Sequence, residues 1–429
     1  MPLAALPPDA HAIATEALRS ANNGFVLVCA ALVLLMTPAL SLFYGGFVRS
    51  RNVLNTMVMS FAAMAVVSVL WVLVGYSLVF APGHGALAPF IGGLQWAGLP
   101  NWSEPWGDGQ LSQGAVALFQ MTFAIITPAL ISGAVVERMH FGAWLAFLLL
   151  WTGLIYIPLA HMVWGPAGFL GPEGLGALDF AGGLVVEMAS GMGALVAALV
   201  VGRRRHYPQS VSPPHNVPFI LLGAGLLWAG WFGFNGGSGL VAGNLASLAC
   251  LTTNSAGAAA ALVWMALETL QRGKPTAVGV ATGAVAGLVA ITPAAGFVGP
   301  VAGLAIGAGA ALVSSYALQL KNRLGLDDSL DVVPVHGVAG LTGLLLTGVF
   351  CLKSINPAGA DGLLAGQPGQ LWIQLKAAGF ALLWVGVGTY VVLSLIRQVL
   401  PLRVSSQQEQ QGVDINAHGE EAYNNEFTG

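Results

Sequence analysis

The sequence predicts an all-α polytopic membrane protein of eleven transmembrane helices, arranged as a five-plus-five inverted repeat followed by a final helix, with the N-terminus outside and the C-terminus inside. Three observations predict it: an apolar composition, apolar stretches of bilayer length that recur along the chain, and basic residues confined to alternate connections. Hydrophobic residues make up 56% of the 429 and charged residues only 8%, with a mean hydropathy of +0.77. A soluble chain of this length has no means of burying so much apolar surface.

In chain order, residues 1–23 carry acids, prolines and a late Arg19 instead of a basic start and an apolar centre. That is not the pattern of a signal peptide, and the segment reads as a short external arm. Apolar stretches of the roughly 20 residues that a bilayer demands cover 24–47, 54–80, 113–136, 142–162, 180–202, 217–235, 244–269, 276–293, 299–320, 331–352 and 370–396. The repeats are then 24–202 and 217–352, with 370–396 as the last helix of a transmembrane domain spanning 24–396. Residues 82–111 hold Trp96, Trp102 and Trp106 among Gly and Pro, as expected of an outer loop that caps the external face. From 404 onward the chain is polar and acidic, with Glu409, Asp414, Glu420, Glu421 and Glu426. Residues 397–429 therefore read as a cytoplasmic tail lying in water.

With the N-terminus outside, the inner segments hold Arg49, Arg51, Arg138, Arg203, Arg204, Arg205, Arg272, Lys274, Lys321, Arg323, Arg397 and Arg403, twelve of the 15 basic residues. Only Arg19, Lys353 and Lys376 fall on or near the outer side, so the partition obeys the positive-inside rule. Most charge thus serves topology, and the net charge of −3 gives no support to nucleic-acid binding. Cys29, Cys250 and Cys351 are scattered in apolar context, without disulfide or metal-ligand spacing. No metal and no cofactor is expected.

An inverted repeat requires related features in the fifth and tenth spans. Asp179 precedes Glu187 by eight residues, and Asp328 precedes His336 by the same eight. An aspartate at a helix start commonly accepts bonds from free backbone N–H groups. Glu187 and His336 differ: each lies one to two turns inside an apolar span, where an ionisable group is costly and faces a cavity or a partner. Two such groups meeting across the pseudo-twofold axis would titrate as a pair, which suits a substrate that carries a proton.

The words SLFYGGFVR (41–49), IYIPLAHMVW (155–164), GALDFAGG (176–183), WFGFNGGS (231–238), DVVPVHGVAG (331–340) and GVDINAHGEEAYN (412–424) resemble the ammonium transporter (Amt/Mep/Rh) family, of the bacterial Amt type, from about residue 20 to 424. The resemblance implies ammonium or methylammonium as substrate and a bacterial inner-membrane location in the lipid bilayer. It also implies a homotrimer, and a regulatory tail that responds to signalling proteins of the PII class. It assigns Phe119, Phe123, Trp151, Ser238 and Asp179 to substrate recruitment at an outer aromatic vestibule, and Phe123 and Phe234 to a stacked gate. In most of the family two histidines line the pore, whereas here the first is Glu187, within VVEMASG, and only the second, His336, is kept. The pair Glu187 and His336 is expected to take or relay the ammonium proton, which would make transport electrogenic.

No enzymatic chemistry is expected: Ser190 beside His336 lacks any nucleophile motif or oxyanion feature. The single Asn356-Pro357-Ala358 is half of what a water channel would need. His161 is expected to cap or be exposed, and His215 to be structural. A sensor on the same scaffold is the alternative function, although a tail this short falls below domain size.

Overall fold

The computed structural model describes residues 8–205, 207–209 and 212–423. Ten helices are long and apolar enough to cross a membrane by length and composition. With the shorter apolar helix Ala277–Ile291, they are numbered here in chain order: α1 (Pro8–Phe47), α2 (Ser50–Phe80), α3 (Gln113–Val135), α4 (Phe141–Trp164), α5 (Gly183–Val201), α6 (Val217–Gly236), α7 (Asn244–Arg272), α8 (Ala277–Ile291), α9 (Pro300–Leu324), α10 (Val333–Phe350) and α11 (Pro368–Val399). Two short helices follow, α12 (Ser406–Gln411) and α13 (Val413–His418). The chain is a multi-pass membrane protein.

The helix ends follow local chemistry. The Ser112, Asn216 and Thr276 side chains accept N–H bonds at the starts of α3, α6 and α8, while α9 and α11 open on Pro300 and Pro368 at a position where no N–H is required. α7 and α9 stop at Gly273 and Gly325, both left-handed. α1 packs along α6, and α5 against α10, so the first helix of each half meets its counterpart, as does the last.

Three expectations change. The arm expected at 1–23 is helical from Pro8 and continuous with α1; its first seven residues lie outside the described set. Its turns hold the loop that follows α2, with Arg19 donating to Ser103 O at 3.0 Å and Asn23 Oδ1 accepting from Ser112 N at 3.0 Å. Next, α8 is only 15 residues long, about 22 Å at 1.5 Å per residue, shorter than the hydrocarbon core. Finally, the tail does not lie wholly in water. Glu409 and Asp414 are buried: Glu409 accepts from Arg205 N at 2.7 Å and from Arg403 at 2.6 Å, and Asp414 accepts from Leu54 N at 3.0 Å and Asn55 N at 2.8 Å. Of these acids, which look solvated in a polar sequence, Asp414 caps free N–H groups at the start of α2, and Glu409 ties the connection after α5 to Arg403. Glu426 lies outside the described residues.

That end of the bundle, the arginine face, is tied together by ion pairs. Glu137 sits in the left-handed region at φ 70 and accepts from Arg49 Nε at 2.9 Å, Asn52 Nδ2 at 2.8 Å and Arg204 Nη1 at 2.8 Å. Arg204 also pairs with Asp327 at 2.7 Å, so four connections converge on two carboxylates. Burial by itself would push the Glu137 carboxyl up, but Arg204 and Arg49 outweigh it and hold the group at about 2. The cysteines are free thiols.

Candidate functional site

The site begins with two matched turns. Asp179 Oδ1 accepts from Gly182 N at 3.0 Å, and its Oδ2 accepts from Leu184 N at 3.0 Å and Val185 N at 3.1 Å. Asp328 accepts from Val332 N at 3.1 Å and Val333 N at 2.7 Å. Each carboxylate thereby satisfies N–H groups that a helix start leaves free. Each helix then opens with a π-helical turn, Gly183–Met188 and Val333–Val338, a rare local widening that concentrates at functional positions. Glu187 and His336 lie within these turns.

Small residues let the turns meet. A Cβ on Gly191 would strike the Gly337 backbone, and one on Gly340 would come within 3.0 Å of Glu187 Cβ, so the two helices cross nearly backbone to backbone. His336 Nδ1 and Glu187 Oε2 consequently lie 2.7 Å apart and share a hydrogen bond, with the residues 3% and 1% exposed. Either the imidazole N–H donates to a carboxylate, or a carboxylic acid donates to the bare nitrogen. Because Nδ1 is taken by Glu187, Nε2 is the free nitrogen, with no hydrogen bond among the described residues.

Both side chains line a narrow cavity of about 10 Å³ whose other walls are apolar, among them Leu40, Phe43, Ile126, Trp231 and Phe234. At one end stands Phe234, itself in a π-helical turn, Phe232–Gly236. It stacks on Phe123 with ring centroids 4.2 Å apart and planes 29° from parallel. Phe123 lines a second, wider cavity of about 230 Å³ on the expected outer face. The two rings therefore form the partition between the cavities.

The residues expected around the wider cavity divide. Phe123 and Ser238 line it, and the Ser238 hydroxyl donates to Phe234 O at 2.8 Å, which leaves its oxygen lone pairs free. Phe119 does not line it; the ring is fully buried and braces Phe123 edge-on at 4.9 Å. Asp179 does not line it either, because its carboxylate is consumed by the α5 turn. Trp151 is a correction: it lies mid-span on α4, fully buried, stacked on Phe147 and donating to Thr389 Oγ1 at 2.9 Å. The tryptophan at the cavity is Trp164, thirteen residues further along α4. Its Nε1 donates to Asp179 O at 3.0 Å, and its ring stands at 89° to Phe123. His161 is fully buried instead of exposed, and it does cap: Nδ1 lies 2.6 Å from Val79 O, a carbonyl of the last turn of α2, and Nε2 2.7 Å from Ala88 O. His215 bridges Val48 O and the Tyr423 hydroxyl.

Residues 24–423 match the Ammonium Transporter Family. The chain belongs to that family. It is 47% identical over 402 residues to an ammonium transporter of Bacillus subtilis, an alignment covering 93% of this chain and 97% of that one. Among solved structures it resembles Saccharomyces cerevisiae Mep2, with a TM-score of 0.83, 36% identity and 90% of each chain covered. It also resembles a structure described as a sensor Amt protein, with a TM-score of 0.84, 28% identity and coverage of 94% and 99%.

In this member of the family, the sequence motifs leave part of the cavity wall unassigned. Trp164 ends the motif IYIPLAHMVW, and its place next to Asp179 appears only where α4 meets the α5 turn. Phe80, Trp106, Gln120 and Phe180 also line the wall. Trp106, expected in the outer loop that caps the external face, arrives on the wall from the hairpin formed by β1 (Pro105–Trp106) and β2 (Leu111–Ser112).

Proposed function

We propose that this protein conducts ammonium by capturing the cation in the wider cavity, deprotonating it and passing ammonia through the narrow one with its proton carried alongside. The observation that carries this reading is the Glu187–His336 hydrogen bond inside an otherwise apolar cavity closed by Phe123 and Phe234. On capture, the ring faces of Trp164 and Phe123 attract the cation by about 0.5–2 kcal/mol each, depending on desolvation, and Ser238 Oγ accepts an N–H. Beyond the paired phenylalanines a bare cation loses its hydration with nothing to replace it. Potassium cannot shed its charge and stays out, whereas ammonium gives up a proton and continues as neutral ammonia.

His336 Nε2 is the acceptor that fits. Proton transfer from ammonium to Nε2 yields ammonia and an imidazolium, and the Glu187 carboxylate at Nδ1 balances the new charge. Release of that proton toward the arginine face returns the pair to its starting state, and one positive charge has crossed for each ammonia. The orientation is N-out and C-in, with the arginine face cytoplasmic in a bacterial inner membrane. The family resemblance further supports a homotrimer and a PII-class partner at the cytoplasmic face.

The test is solid-supported-membrane current together with radiolabelled methylammonium uptake in proteoliposomes, using wild type and Glu187→Gln. Uptake with current in wild type, and a Glu187→Gln current reduced with altered pH dependence, is the expected result. Unchanged current across pH in the variant overturns the proton role of Glu187. The likeness to a sensor Amt structure favours a second reading, a transducer on the same scaffold; absence of wild-type uptake would favour it.

A further inference from the structure

The α3 wall of the wider cavity offers a polar group that no step above uses. Val116, Gln120 and Phe123 all line the cavity; spaced four and three apart, they share one face of the helix. Gln120 is thus the next residue outward from the phenylalanine partition on the cavity side. Its Oε1 is buried and has no hydrogen-bond partner. Two donors on the same wall are committed elsewhere, Trp164 Nε1 on Asp179 O and the Ser238 hydroxyl on Phe234 O. A carbonyl oxygen only accepts, and a buried polar group in a native protein is ordinarily paired. What the cavity binds can bring the donor that would satisfy this one.

We infer that Gln120 is a specificity-determining residue of the capture site, its side-chain carbonyl accepting an N–H of ammonium, or of a primary alkylammonium, held over Trp164 and Phe123. The inference rests on the reading of this cavity as the point of capture. Together with Ser238 Oγ, Gln120 gives the bound cation two oxygen acceptors, while the aromatic rings offer faces that are blind to N–H direction. A cation that can donate is then retained over a bare ion of equal charge that only stacks on the rings.

Methylammonium uptake by reconstituted full-length protein, measured over a range of concentrations, tests this. Gln120→Leu removes the acceptor and keeps the bulk. Its KM is expected to rise about tenfold, as for the loss of one hydrogen bond, with the maximal rate within about twofold of wild type. Gln120→Glu keeps an acceptor at the same reach, and its KM is expected at or below the wild-type value. A Gln120→Leu KM within about twofold of wild type overturns the inference and makes the amide a solvated piece of wall. A Gln120→Glu KM raised as much as that of Gln120→Leu also overturns it, because shape would then be the requirement. If thermal unfolding shows that Gln120→Leu fails to fold, the direction of the Gln120→Glu shift decides alone. No uptake by the unmodified protein would instead overturn the transport reading beneath the inference, so the two failures are distinguishable.

Discussion

α5 and α10 each start on an aspartate whose carboxylate holds the N–H groups of a π-helical turn, and each places an ionisable residue eight positions further on. In α5 that residue is Glu187 and in α10 it is His336. Surroundings differ as well: Asp179 O receives Trp164 of the wide cavity, whereas Asp328 O receives Lys321 Nζ at 2.8 Å on the arginine face. The repeated device is therefore scaffold, since it satisfies backbone and shapes a turn at either end of the bundle. The chemistry resides in what is not repeated: an acid opposite an imidazole, and an aromatic cavity at one end only.

The largest expected effect would break the comparison at its shared device. Asp179→Ala strands three buried N–H groups and Asp328→Ala two, at about 1–3 kcal/mol for each group left unpaired. Thermal unfolding in detergent should show both variants destabilised, Asp179→Ala more so, with methylammonium uptake lost in the former. Equal and negligible shifts would remove the scaffold interpretation.

Next comes the contact between the turns. Gly191→Ala presses a methyl group into Gly337, an overpacking that costs about 1–3 kcal/mol; unfolding temperature and uptake rate should both fall. Exchanging the pair with Glu187→His and His336→Glu keeps one acid and one imidazole but reverses their order. Because the two turns are alike, conduction should persist within about tenfold, and complete loss of uptake would show that the halves are not interchangeable. Glu187→His alone should conduct with a changed pH dependence of current, and an unchanged profile would count against the acid's role.

The smallest expected effect separates titration of the pore from titration of the fold. Arg204 and Arg49, against the opposing effect of burial, lower the Glu137 carboxyl from its usual 4.5 to about 2. A carboxyl depressed on folding stabilises fully above its unfolded value, and that contribution is lost as pH falls through the folded value. Glu137 therefore leaves the unfolding temperature flat between about pH 5 and pH 8 and lowers it only on acidification from about 4.5 toward 2. A current that varies within the flat window then belongs to the pore pair; a parallel drift of unfolding temperature would undo that assignment.

How legible the site was depended on the type of signal. Glu187 and His336 stood out because an ionisable side chain in an apolar span is conspicuous, and their equal offsets from Asp179 and Asp328 tied them together before any contact was known. Phe123 and Phe234 were legible only through the motif words that resemble the family, since aromatic residues fill most apolar interiors. Trp151 was misplaced for the same reason: α4 carries tryptophan at 144, 151 and 164, and hydrophobicity does not rank them. Asp179 was placed in the right neighbourhood with a mixed role; in the fold its side chain serves the backbone, and its carbonyl orients Trp164. Glu409 and Asp414 looked solvated because polarity in a sequence does not reveal that a distant arginine, or the free N–H groups of another helix, wait for a carboxylate.

The sequence by itself determined the membrane-spanning helices, the alternation of basic connections and the pairing of an acid with a histidine across two related spans. These follow from local hydrophobicity and spacing, which a bilayer reads directly. Tertiary structure alone decided which tryptophan faces the cavity, that Gln120 stands on its wall, that Glu409 and Asp414 are buried and that 2.7 Å separates Glu187 from His336. Each of these depends on how helices distant in sequence rotate against one another. That rotation is set by glycine contacts and π-helical turns, whose effect appears only when both partners are in place.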